Sequence, residues 1–409
     1  MANRTKILVL NSCVNGGGAG RSLEALLTAP DPRIEAIVAM PAPGMLAQRI
    51  ERVAELAFIP EFVERMRRSS YMWPDWLHMP WLHPVASVFG LFICIGKLTR
   101  LAKANRPDVI YCNHMLAKPI GVAVGARTGI PVVFHSRACH QLWADGKFYD
   151  WLGRRKIVKR IICNSEASAA VYRRNSDVKV TIIPNGIDLN HYNRQATQAS
   201  LRREFQIPPD EFIVGFTGRI QPSKGIDWLL RSFAVFSRRN SKAKLVIVGG
   251  NDSSLQHDAL AEYRHKAAAM GVAENVIFTG YRDDVRPYLA DFDVLIMPSI
   301  LPESFGRVLL EAMALEIPVI VSAHGGAVEV VRNDKEGLWV EVEDTDGLAS
   351  AIDRLCSDPV WRRQMGQNGL QRVQACYARS ITAQRVYDVL VNSSSHRKNA
   401  QNEPLKASA

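Results

Sequence analysis

The sequence is poor in the features that hold metals, cross-link a secreted chain or span a membrane. Its seven cysteines are scattered, no C-x-x-C occurs, and no His/Cys set has zinc spacing. Such an odd, unpaired set fits a reducing cytosol better than a disulfide framework. Met1 to Lys6 lead straight into the apolar Ile7-Leu8-Val9-Leu10 with no h-region or cleavage site, so no signal peptide is expected. The apolar run within Val85–Lys103 is too short to cross a bilayer. No DNA- or RNA-binding module is recognisable, and nucleic acid is not an expected partner. These absences point to a cytoplasmic protein.

What is present is a globular composition, 47% apolar over 409 residues, enough for two or three domains with their own cores. The net charge of +11 is unevenly placed. Residues 1–195 hold about 26 Lys and Arg against about 14 Asp and Glu, and the remainder is nearly balanced, about 25 against about 26. The first half therefore suits an anionic partner, such as a membrane surface or a phosphorylated acceptor, or is simply a basic, solvated surface.

Short β-branched runs alternate with helical stretches in two series. The first has strands near Lys6–Leu10, Ile34–Met40, Val109–Cys112, Val132–His135, Arg160–Cys163 and Val180–Ile183. The second has Ile213–Thr217, Leu245–Val248, Val276–Thr279, Val294–Met297, Val319–Val321 and Leu338–Val340. Repeated βα units imply an α/β fold with doubly wound parallel sheets, here two Rossmann-like domains. Their expected spans are 1–192 and 193–378, followed by a helix at 379–392 and a polar, disordered tail at 393–409. An insertion at about 60–105 carries Trp73, Trp76 and Trp81, then apolar Val88, Leu91, Phe92, Ile95 and Leu98 among Lys97, Arg100 and Lys103. It reads equally as an interfacial amphipathic helix or as a core helix with a snorkelling basic end.

Three loops carry candidate chemistry. Asn15 to Arg21 follows the first strand and holds Gly16, Gly17, Gly18 and Gly20. It fails as a dinucleotide fingerprint, because Arg21 replaces the third glycine and no acid closes the second strand. Gly17 and Gly18 are the best positions for backbone amides to approach a phosphate. Gly218 to Gly225 is no P-loop, since Lys224 precedes glycine, yet Arg219 and Lys224 can converge on a diphosphate. Pro302-Glu303-Ser304-Phe305-Gly306-Arg307 follows a buried strand and opens a helix, with Ser304 as its expected cap and Glu311 two turns along.

This last segment resembles the E-x7-E signature of retaining GT-B glycosyltransferases of the group 1, family 4 type, with Ser304 in place of a usual glycine and Arg307 in place of a common apolar residue. The resemblance implies two domains facing across a cleft that closes and excludes water. It also implies a nucleotide-sugar donor of UDP or GDP type, with a glycan or lipid-linked acceptor over the first domain. In that family the first Glu, here Glu303, contacts the donor sugar, and the second, here Glu311, binds the ribose. Ser304, Phe305, Gly306 and Arg307 then line the donor, and Arg219 and Lys224 bind its diphosphate. The glycine loop with Gly17 and Gly18 lies beside the phosphates, and His135 matches the family's histidine that faces the donor sugar near the reacting carbon. His114, read from its own place at a strand end, is a second choice, for an acceptor contact. Gly280–Val285 resembles the base-side loop and makes Arg282 and Asp284 candidates. No metal and no cofactor are expected, because Arg219, Lys224 and the helix end can stabilise the leaving group. The implied activity is hexosyl transfer in bacterial-type cell-surface polysaccharide or glycolipid synthesis. A sugar-nucleotide epimerase on the same architecture would need acid/base carboxylates in the first domain. A non-catalytic nucleotide-sugar or membrane-binding protein would have no reason to keep Arg219, Lys224, Glu303 and Glu311 together.

Overall fold

A computed structural model describes residues 4–12, 14, 18–62, 83–139, 143–172, 179–251 and 258–394. Gly17, the tryptophans at 73, 76 and 81, and the tail from 395 lie outside these residues. The chain divides into two compact units, 1–186 together with 379 onward, and 187–378.

Unit 1 runs β1 (Thr5–Leu10), α1 (Gly18–Leu27), β2 (Ile34–Met40), α2 (Met45–Ile50), β3 (Glu55–Phe58), α3 (His83–Asn105), β4 (Val109–Cys112), α4 (Ala117–Thr128), β5 (Val132–Ser136), α5 (Trp143–Gly153), β6 (Val158–Cys163), α6 (Glu166–Ala169) and β7 (Val180–Ile182). The seven strands pair in the order β3-β2-β1-β4-β5-β6-β7, all parallel. Because strand side chains alternate, β1 feeds two cores. Leu8 and Leu10 join Leu98, Val124 and Leu152 on one face, and Ile7 and Val9 join Leu23, Val38 and Leu390 on the other. Burial on both faces explains why these strands read as continuous apolar runs.

The strand Glu55–Phe58 is absent from the sequence reading. It is a four-residue edge strand with both ends exposed, so it carries no buried apolar signature. Helix α3 buries Cys94, Ile95, Leu98 and Ala102 in the unit 1 core, while Phe92 stays 60% exposed. Over its described side chains it is a core helix with a basic, solvated side, where Lys97 meets Glu61 at 2.6 Å. No helix of the described residues is long and apolar enough to cross a membrane.

Unit 2 runs α7 (Leu201–Glu204), β8 (Phe212–Thr217), α8 (Ile226–Ser237), β9 (Ala243–Val248), α9 (Ala259–Ala269), β10 (Val276–Gly280), α10 (Arg286–Leu289), β11 (Val294–Met297), α11 (Arg307–Ala314), β12 (Val319–Ser322), α12 (Ala327–Val330), β13 (Gly337–Val340), α13 (Thr345–Ser357) and α14 (Pro359–Cys376). Its six parallel strands follow β10-β9-β8-β11-β12-β13. The final helix, α15 (Arg379–Ser393), belongs to unit 1. It packs Ala383, Val386, Tyr387 and Leu390 into that core, and the Tyr387 hydroxyl donates to the Leu26 carbonyl at 2.7 Å.

In each sheet the strand order reverses direction beside the first strand. The switch points are β1/β4 and β8/β11. At such a point neighbouring loops part at the strands' carboxyl ends and leave a crevice where open α/β sheets take ligands.

Candidate active site

In unit 2 the switch point is made by the loop after β8 and the loop after β11. Gly225 lets them meet. Its φ is +70°, and a Cβ there would overlap the Pro298 carbonyl oxygen, so only glycine fits. The Ile300 amide donates to the Ser223 carbonyl at 3.0 Å and ties the two loops again. This contact brings Lys224 to Glu303: the ammonium donates to Glu303 Oε1, and the Ser299 hydroxyl donates to the same oxygen at 2.9 Å. Both charged side chains keep about a fifth of their surface open to solvent. Arg219 lies on the same β8 loop and is exposed.

A third loop, after β12, holds the backbone around Glu303. The Gly326 amide donates to the Glu303 carbonyl at 2.7 Å, and His324 Nε2 donates to the Ser299 carbonyl at 2.7 Å. Gly325 and Gly326 press so closely on Glu303 and Ser304 that a Cβ at either would meet their backbone. Ser299, His324, Gly325 and Gly326 were not among the sequence candidates. Their signal is a glycine pair just beyond an apolar strand, legible only once β12 is known to lie beside β11.

The helix after β11 starts later than expected. Arg307 is its first residue, and Gly306, at φ +84°, occupies the capping position, so Ser304 is not the cap. The left-handed turn needs a residue without Cβ strain, which serine does not supply. Phe305 is buried in the unit 2 core, edge-on to Tyr377 at 5.9 Å, so only its backbone is available to a ligand. Ser304 and Arg307 are half-buried, and Glu311 is a buried carboxylate on α11, 4% exposed. Arg282 and Asp284 lie beyond β10 and are held by other partners. Arg282 pairs with Glu204 at 2.6 Å and lies over the Tyr288 ring, and Asp284 pairs with Arg286 at 2.6 Å.

In unit 1 the corresponding crevice is neutral-to-cationic. Asn113, just beyond β4, donates to Asn11 Oδ1 at 3.0 Å and to the Ala19 carbonyl at 3.3 Å, which ties β4 to β1 and to α1. Gly18 is the first residue of α1. Ser12 Oγ and His114 Nδ1 are 2.8 Å apart. Burial pushes the His114 imidazole down to about 4. His135, on β5, is buried, and Arg137 Nη2 approaches its Nδ1 at 3.0 Å. A guanidinium can only donate, so Nδ1 accepts, and the neutral ring carries its proton on Nε2. Burial first, and the nearby Arg137 second, hold this imidazole well below its ordinary value. Its Nε2 has no protein partner among the described residues, and the ring lines a cavity of about 10 Å³, room for one water, with Ser22, Arg137, Asn185 and Arg379. Asn113 and Arg137, which organise this network, were not sequence candidates. Each lies within two residues of a strand end, but nothing in the local pattern distinguishes them from solvated loop residues.

The chain matches two family models, glycosyl transferases group 1 over residues 153–372 and glycosyltransferase family 4 over residues 16–191. It is 27% identical over 329 residues to a glycosyltransferase of Methanocaldococcus jannaschii, covering 76% of this chain and 82% of that protein. It is 30% identical over 299 residues to the D-inositol 3-phosphate glycosyltransferase of Salinispora arenicola, covering 67% of this chain and 66% of that one. Among solved structures, Anabaena HepE in complex with UDP-glucose superposes with a TM-score of 0.79 at 23% identity, over 95% of this chain and all of the other. A sucrose-phosphate synthase from Thermosynechococcus elongatus gives 0.73 at 22% identity, over 95% and 99%. Two switch-point crevices on parallel α/β sheets, matched over more than half the chain by one family model, lead to one assignment: the protein is a glycosyltransferase of group 1, built on the GT-B fold.

Proposed function

We propose that the protein moves a sugar from a nucleoside-diphosphate donor to a glycan or lipid-linked acceptor, with retention at the transferred carbon and without a metal. The observation that carries this reading is the convergence of Lys224 and Glu303 at the β8/β11 crevice. The ammonium of Lys224 and the carboxylate of Glu303 neutralise each other. A donor diphosphate offers Lys224 a stronger anion, and Arg219, on the same loop, adds a forked cation. Glu303, once released, accepts from sugar hydroxyls. The amides of Phe305 and Gly306 add donors there, and Glu311 on α11 is assigned to the ribose. Charge developing on the leaving diphosphate is then met by Lys224 and Arg219, the work a divalent ion does elsewhere. Structures of Anabaena HepE hold UDP and UDP-glucose, which supports a uridine donor here.

Unit 1 is assigned to the acceptor. The network of Asn11, Asn113, His114, His135 and Arg137 supplies neutral and cationic groups and, among the described residues, contains no carboxylate. That composition favours transfer over epimerisation, which would need acid/base carboxylates at this place. Membrane-peripheral synthesis of a surface polysaccharide or glycolipid is the setting in which such an acceptor is met. The reading is tested by incubating the purified protein with a panel of nucleotide sugars and following donor hydrolysis, with and without a chelator. Turnover of a UDP- or GDP-sugar that survives chelation, with products of unchanged anomeric configuration, is the expected result. No turnover and no nucleotide binding across the panel would overturn it.

A further inference from the structure

The excess positive charge of the first half is concentrated where α5 ends and β6 begins, an area the donor and acceptor readings do not use. Arg154, Arg155, Lys156, Lys159, Arg160 and Lys179 border a recess of about 180 Å³. None of its described lining residues is a carboxylate. The nearby Asp150 is occupied by Arg154 at 2.9 Å, so the patch keeps a large cationic surplus. Lys159 donates to the Lys156 carbonyl at 2.7 Å, which holds the strand's entrance in shape.

Beside the recess, α5 exposes two aromatic side chains three residues apart on one helix face. Phe148 is 46% exposed and Trp151 52%, and their rings stack at 6.1 Å. The Arg155 guanidinium lies over the Trp151 ring at 3.5 Å, so the aromatic and cationic groups form one surface. The recess sits at the amino ends of β6 and β7, and the acceptor network at the carboxyl ends of β1, β4 and β5. In a parallel sheet these are opposite ends. The patch is therefore no extension of the acceptor crevice.

We infer that this surface, Phe148 and Trp151 on α5 with Arg155, Lys156 and Lys179 around the recess, docks the protein on an anionic lipid bilayer. A small soluble anion would use the cations but would leave Phe148 and Trp151 exposed to water. Large aromatics beside clustered Lys and Arg match the headgroup region, where rings enter the interface and cations meet lipid phosphates. The inference concerns where unit 1 is held and stands independently of the donor assigned to unit 2.

The test is co-sedimentation of the full chain with vesicles of phosphatidylcholine alone and of phosphatidylcholine mixed with phosphatidylglycerol. The wild type should bind the mixed vesicles at low salt, release at high salt, and ignore the neutral ones. Each cation near an anionic surface is worth about fivefold in partition, so Arg155→Glu/Lys156→Glu/Lys179→Glu, which removes three cations and adds three anions, should lower binding by about a hundredfold or more. Phe148→Ala/Trp151→Ala should weaken it severalfold while leaving the salt dependence in place. If the triple variant loses its native circular dichroism, the single exchanges Lys156→Glu and Lys179→Glu give the same reading, each expected at about fivefold or more. Wild-type binding that these exchanges leave unchanged would overturn the inference, as would binding to heparin or duplex DNA but not to vesicles. Nucleotide affinity measured by calorimetry on the same variants should not move. Its absence in the wild type would bear on the donor site alone.

Discussion

At the β8/β11 crevice an ammonium and a carboxylate face each other, Lys224 and Glu303, both partly open to water. At the β1/β4 crevice the polar groups include amides, the Ser12 and Tyr111 hydroxyls, a guanidinium and two imidazoles kept neutral by burial. The two sheets share the same strand order around these points, so topology sets only the position of a site. The chemistry comes from the loops. Unit 2 draws its loops together with Gly225 and the Gly325-Gly326 pair, which forces opposite charges into contact. Unit 1 draws its crevice together with the side-chain amides of Asn11 and Asn113, and buries His135 while leaving His114 partly exposed. One crevice holds a charge pair partly open to water, and the other a hydrogen-bonded network without such a pair among its named residues.

The sharpest way to break this contrast is to remove its cation. Lys224→Ala should lower transfer by about 2–4 kcal/mol in the transition state, the range for a lost charge stabiliser. Most of the loss should appear in kcat rather than in acceptor KM. Turnover equal to wild type would remove Lys224 from the chemistry and make its contact with Glu303 a structural pair.

Acid should act on the other crevice. Both imidazoles titrate lower in the folded chain than the ordinary value of about 6.5. Between those values the unfolded chain binds more protons, so stability is fully present above about pH 6.5 and is lost as pH falls toward 4. His114, held at about 4, accounts for up to about 3 kcal/mol of this. Thermal melts scanned downward from neutral pH should show the loss, and His114→Asn should flatten the curve. A wild-type profile flat through this window would mean that water reaches the ring.

Glu311→Ala sharpens the assignment on the unit 2 side. Loss of hydroxyl contacts should weaken binding of the free nucleoside diphosphate by about 1–3 kcal/mol. Calorimetry decides it, and equal affinities would move the ribose elsewhere.

Much of this was open to a reader of the sequence, because buried parallel strands are short apolar runs with little else inside them. Val294–Met297 and Val109–Cys112 are cases where run and strand coincide. Glu55–Phe58 escaped because an edge strand buries too little to leave a pattern. The loops after β8 and β11 were legible as candidates, because glycine stands there near Lys224 and Glu303 just beyond apolar strands. What could not be read was contact between loops. Nothing near Lys224 in the chain announces Glu303, and nothing near His135 announces that Arg137 will fold back on its ring. Those pairings depend on which strands become neighbours. Helix capping failed for a smaller reason: Ser304 has the right side chain for a cap, but the chain turns through a left-handed residue at Gly306 before the helix begins.

The smallest expected effect separates a glycine needed by the fold from one needed by a ligand. At Gly225 the fold decides, because its φ is positive and a Cβ would overlap the Pro298 carbonyl. At Gly18 there is no such demand. No described atom lies within 4 Å of where its Cβ would be, and its φ is not in the left-handed region. Gly18→Ala should therefore stabilise unit 1 slightly, by about 0.4–1 kcal/mol, through a less flexible unfolded chain and a better start to α1. If the backbone at Gly18 closes on a donor phosphate or an acceptor, the added methyl should lower kcat/KM severalfold even as the melting temperature rises. A variant that is both more stable and fully active would show that the loop before α1 is only a turn. It would also leave Asn113, His135 and Arg137 to define the unit 1 crevice.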